Sequence, residues 1–114
     1  MHQRKQEIQL HLKDKGMFEG WYFRVSDRKV SLAVIVGVSE TMAFIQTIDT
    51  YTNVSQMLEF DLNEFEYGNA PFFIRIKNNY FSKEKIILNL DQGTIIIRGI
   101  LENDAFTPLK ASLY

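Results

Sequence analysis

The sequence predicts an all-β domain of about eight antiparallel strands, built as a β-sandwich or an up-and-down barrel. Three observations lead there. Apolar and polar residues alternate with a period of two along most of the chain, the repeat of a half-buried strand. Clusters of Gly, Asn, Asp, Ser and Pro interrupt that alternation at short intervals. No helical period is sustained for the roughly ten residues a helix normally needs.

The elements follow in order. Ile8, Leu10 and Leu12 alternate with Gln9 and His11, and Asp14-Lys15-Gly16 turns the chain. A helix over 2–13 is the alternative for this segment. The next strand, 18–26, is closed by Ser26-Asp27-Arg28-Lys29. Read as a strand, it puts Trp21 and Phe23 on one face and Tyr22 and Arg24 on the other. Segment 30–38, VSLAVIVGV, is apolar on both faces, which predicts a central strand covered on both sides. Ser39-Glu40-Thr41 turns into 42–51, and Thr52-Asn53 turns into 54–62. In 54–62, Met57, Glu59 and Asp61 share one face, and Leu58, Phe60 and Leu62 the other. Segment 63–67 continues or bends that strand, and Gly68-Asn69-Ala70-Pro71 breaks the chain. Strand 72–77 precedes Asn78-Asn79-Tyr80-Phe81-Ser82, a predicted turn held by Asn side chains bonding to nearby backbone. The final strands, 85–90 and 94–102, flank a tight turn at Asp91-Gln92-Gly93. Gly20, Gly37 and Gly99 fall inside strand patterns, where glycine marks a bulge, a bend or a close backbone approach.

These boundaries divide the chain into an N-terminal segment, 1–15, a β-domain, 16–109, and a tail, 110–114. The tail reads as a connection to a second domain, so the chain resembles an excised N-terminal domain or a natural half-length version.

Composition narrows the classes. The 114 residues suit one domain with a core of its own. Without cysteine, the chain has no disulfide, thiolate metal site or cysteine nucleophile. Thirteen basic and 14 acidic residues give a formal charge of -1, which offers no general attraction to nucleic acid or to an anionic membrane. The N-terminus lacks the apolar run of a signal peptide, and no stretch approaches the ~20 apolar residues of a membrane span. The expectation is a soluble cytoplasmic protein.

Chemistry is limited as well. His2 and His11 both lie in the N-terminal segment, so the body of the domain holds no histidine-based triad. No metal site is predicted: Asp61, Glu64 and Glu66 form an acidic patch, which reads as a solvated face. No glycine loop suits a phosphate. Two carboxylates, Glu19 and Asp49, are candidate proton donors, because a carboxyl group enclosed by aromatic rings is disfavoured in its charged form. The plainer and preferred reading pairs each with Arg24, Arg75 or Arg98 across the sheet. Gln46, on a face with Phe44 and Ile48, could meet a ligand's oxygen or tie two strands together.

FEGWYFR at 18–24 closely resembles the FEGWYFK signature of the tocopherol cyclase-like family. Other segments agree in order. LAVIVGV at 32–38 resembles the family's apolar strand ending in I-P-G-I, with Val36 in place of the usual proline. Ala43-Phe44-Ile45-Gln46 resembles its A-F-I-Q segment, Asn79-Tyr80-Phe81-Ser82 its N-x-F-S segment, and Arg98-Gly99-Ile100-Leu101 its closing G-x-L step. The resemblance covers roughly residues 16–109. It departs in length, since family members usually carry a second β-domain. It implies a lipocalin-like β-domain that binds an apolar, isoprenoid ligand or packs on a second domain, with no cofactor. The alternative it implies is an isomerase that closes a chromanol ring on a prenylated quinol by protonating a double bond. Glu19 or Asp49 would then donate the proton. Trp21, Tyr22 and Phe23 would stabilise the carbocation through their π faces, and Arg24 or Gln46 would orient the head group. A homodimer partner would replace the absent domain.

Overall fold

Strands make up nearly all of what the computed structural model describes, namely residues 18–26, 31–90, 93–102 and 105–113, with side chains except those of 18, 105 and 108–113. They are β1 (Phe18–Ser26), β2 (Ser31–Ser39), β3 (Met42–Asp49), β4 (Val54–Asp61), β5 (Phe65–Asn69), β6 (Phe72–Ile76), β7 (Asn79–Ser82), β8 (Lys85–Leu90), β9 (Gly93–Glu102) and β10 (Ala105–Leu113). They form one sheet in the order β4-β3-β2-β1-β10-β9-β8-β7-β6-β5.

That order is a meander wrapped into a nearly closed barrel. Every neighbouring pair is consecutive in sequence except β1 with β10, and that pair alone is parallel. Ten strands that reversed at every connection would bring β1 and β10 together antiparallel. One connection must therefore keep the chain's direction. It lies at Leu62–Glu64, a 3-10 turn that carries β4 into β5 without pairing the two. The chain bends there rather than reversing, as one of the sequence alternatives for 63–67 has it. A seam between β4 and β5 remains.

The strand count corrects the expectation of about eight. Asn79–Ser82 is a strand and not part of a turn. The Asn chemistry is present, but it serves the strand: buried Asn79 donates from Nδ2 to the Ile76 carbonyl at 3.2 Å and accepts the Asn89 N–H at 2.7 Å. The reversal is confined to Lys77-Asn78. A further strand, β10, runs along β9 through Leu113. Its proline, Pro108, is level with Gly99 and stands next to a register shift between Pro108 and Lys110, the kind of irregularity at which strands tolerate proline. The predicted strand at 8–12 lies outside the described residues.

Period-two alternation decides the core. Trp21, Phe23 and Val25 of β1, Val34, Val36 and Val38 of β2, and Ala43 and Ile45 of β3 face inward and are buried. From the other side come Ile74 and Ile76, Phe81, Ile86 and Leu88, Ile97 and Phe106. The middle of the barrel is filled with side chains. β2 is central, as its sequence predicts, but its outer face is covered by neighbouring side chains rather than by a second layer. A Cβ at Gly37 would lie 2.3 Å from the Phe44 ring, so glycine is what lets that ring lie flat on the sheet.

Candidate functional site

The aromatic strand β1 splits its candidate residues across the barrel wall. Glu19, Trp21 and Phe23 point inward, while Tyr22 and Arg24 point outward, as alternation requires. Phe23 stacks on Phe81 with ring centroids 5.6 Å apart. Trp21 is 6% exposed and stacks on Phe65 of β5 at 6.5 Å, and Phe65 in turn meets Tyr67 at 5.9 Å. An aromatic row thus reaches from β1 to the edge strand at the seam. Its polar end is unusual, because the Trp21 Nε1–H is buried and has no hydrogen-bond partner among the described residues. Glu19, 4% exposed, and Thr47, 6% exposed, are further polar residues buried on this inner face.

The other candidates stand elsewhere. Asp49 ends β3, where its Oδ1 accepts the backbone N–H groups of Tyr51 at 2.9 Å and Thr52 at 3.3 Å. Its carboxylate holds the β3–β4 turn, and the arginine partner expected from sequence is not what it meets. Glu19 on β1 is level with Val38 of β2, and Asp49 on β3 is level with Leu32 of β2. Six residues of strand separate those levels, about 20 Å. The two carboxylates cannot serve one double bond together.

Gln46 lies on the outer face, where its Nε2 donates to the Ser55 hydroxyl at 3.4 Å. Its cross-strand neighbours are Ile35 and Met57, and Ile35 pairs with Tyr22. Tyr22, Ile35, Gln46 and Met57 form one row across four strands, with Tyr22 and Met57 exposed. The barrel wall separates this row from Trp21 and Phe23.

Sequence reading passed over two features. Phe65 gave no signal, since 63–67 reads as a continuation of β4 and its pairing with Trp21 depends on the direction-keeping turn. Arg75, Lys77 and Lys85 gather around Tyr80 on the outside of β6–β8. They are scattered in sequence, and only the short strand β7 brings them together.

Among the described residues, no group of His, Asp and Glu is arranged to hold a metal ion, and no helix is long and apolar enough to cross a membrane. The fold and inner face define an all-β, barrel-like domain with a buried tryptophan beside an open seam. Compared with known proteins, the chain matches no family model, no curated protein and no solved structure.

Proposed function

We propose that this domain binds an apolar, isoprenoid-type molecule carrying one oxygen acceptor, at the seam between β4 and β5. The observation that carries the reading is the Nε1–H of Trp21, buried with no hydrogen-bond partner among the described residues. A buried donor without an acceptor costs roughly 1–3 kcal/mol, and indole can only donate. A ligand hydroxyl or carbonyl would supply the missing acceptor, and its hydrocarbon part would lie along Phe65 and Tyr67. The filled middle of the barrel directs such a chain to the seam rather than down the axis. The likeness of FEGWYFR to the tocopherol cyclase-like signature supports the same ligand class. No chemistry is needed in this reading. The outer row of Tyr22, Ile35 and Met57, with Tyr22 and Met57 exposed, also suits packing on a second domain.

A second reading has one observation in its favour. Glu19 is buried on the same face as Trp21, two residues away, which supports a role as proton donor in ring closure on a prenylated quinol.

Trp21 is the only tryptophan, so its fluorescence reports from one place. Titration with a short-chain prenyl hydroquinone is expected to give saturable quenching that Phe65→Ala weakens and Gln46→Ala leaves intact. A flat titration of folded protein overturns the binding reading. Formation of the ring-closed product, abolished by Glu19→Gln with quenching retained, would replace it with the cyclase reading.

A further inference from the structure

The outer face of β6–β8 carries an open depression of about 720 Å³. Three cations line it, Arg75, Lys77 and Lys85, together with Tyr80, Asn78 and Asn89. The Arg75 guanidinium lies 5.5 Å from the centre of the Tyr80 ring, and the Lys85 ammonium 5.7 Å. Tyr80 is further backed by Phe73 in a stacked pair at 6.2 Å. Its floor is fixed. Asn89 accepts the Thr94 hydroxyl at 2.7 Å and donates to the Asn78 carbonyl, while buried Asn79 bonds to both sides. These cations stand on hydrogen-bonded strands and one two-residue turn, a rigid arrangement.

Their charge is not balanced locally. Arg75 faces Glu66 at 4.0 Å, a loose contact between exposed groups. Lys77 and Lys85 have no ion-pair partner among the described residues. Lys85 also stands directly opposite Arg98 on β9. Like charges at that spacing, about 5 Å between Cβ atoms, disfavour the sheet. The backbone gives a second, independent sign. Lys77 has φ 55, in the left-handed region where a lysine is sterically costly and glycine or asparagine is the usual choice. Residues held in such conformations gather at functional sites.

We infer that this depression binds a small phosphorylated molecule through a phosphate dianion held by Arg75, Lys77 and Lys85. Three positive charges against one carboxylate leave a surplus that matches a dianion. The planar guanidinium can take two oxygens at once, and the lysines and Asn amides can take the rest. A nucleic-acid strand fits less well. Base stacking needs a free aromatic face, and that of Tyr80 is already flanked by Phe73, Arg75 and Lys85. Between Lys29 and Arg75 the chain has no basic residue but carries Glu40, Asp49, Glu59, Asp61, Glu64 and Glu66. That acidic half repels an extended polyanion.

The test is calorimetric titration of the whole chain with inorganic pyrophosphate, alongside amide-shift mapping. Saturable binding is expected, with shifts concentrated in residues 75–80 and 85–89. Lys85→Gln should weaken it roughly tenfold by removing one charge-assisted contact. Lys83→Gln, outside the depression, should not change it. Lys77→Gly separates function from folding: it removes a cation but relieves the backbone. Binding should fall roughly tenfold while the thermal midpoint holds or rises. Unchanged affinity in both the Lys77 and Lys85 variants overturns the assignment. So does tighter binding of a short uridine oligonucleotide than of pyrophosphate, which would make the face a nucleic-acid surface.

Discussion

At the scale of single residues, the contact between Gly37 and Phe44 shows how an outer face can be built without a covering layer. The two are directly paired across β2 and β3, and the Phe44 ring occupies the space above the glycine. The same device recurs where Phe73 lies 2.5 Å from the ideal Cβ position of Gly68. Two effects oppose each other on Gly37→Ala. Replacing glycine in a strand gains about 0.5–1 kcal/mol by restricting the unfolded chain. The new methyl group also pushes the ring off its seat, at about 1–3 kcal/mol. The ring term is larger, so Gly37→Ala should destabilise the wild type by about 1 kcal/mol. In a Phe44→Ala background the same change should be neutral or stabilising. Urea unfolding of the four proteins in this cycle measures the coupling. Additivity would show that the ring does not depend on glycine.

At the scale of elements, β7 is where sequence and structure part most sharply. Asn78-Asn79 carries every mark of a turn, and the turn is there. Yet it is shorter than its composition suggests, because one asparagine works as a bracket between strands. Asn79 joins the end of β6 to β8, and each bond it makes reaches a backbone group. Asn79→Ala would strand the Asn89 N–H and the Ile76 carbonyl, and should cost about 2 kcal/mol. A chemical-denaturation midpoint that does not move would mean that solvent takes over both bonds. Elsewhere, alternation made the elements readable. The inward set of β1 and the two faces of β4 follow from period two, and the central place of β2 from a run that is apolar on both faces. β10 was not legible, because Pro108 argues against a strand unless a pairing shift accommodates it, and that shift depends on β9. The inward place of Trp21 and Phe23 was legible in the same way. The partnership of Trp21 with Phe65 was not, since no local pattern shows that the chain keeps its direction at Leu62–Glu64.

At the scale of the whole molecule, that one turn decides the architecture. Because β4 and β5 run the same way and do not pair, the barrel closes by the parallel contact of β1 with β10 and opens opposite it. The closing side is well packed: Val25 and Phe106 are level across the pair, and both are buried. The seam is different. Val54 and Met57 of β4 are exposed, as is Tyr67 of β5, and among the described residues no strand pairs with the outer backbone groups of either edge. Edge amides exchange through small local openings, whereas central ones need disruption of two neighbours. Seam-facing amides of β4 and β5 should therefore exchange roughly 100-fold faster than those of β1 and β2. If the prenyl hydroquinone occupies the seam, its addition should slow β5 amides near Phe65 and leave the β6–β8 face unchanged. Pyrophosphate should do the reverse. Uniform protection across all strands would mean that the seam is closed in solution, and the route by which a ligand oxygen reaches Trp21 would close with it.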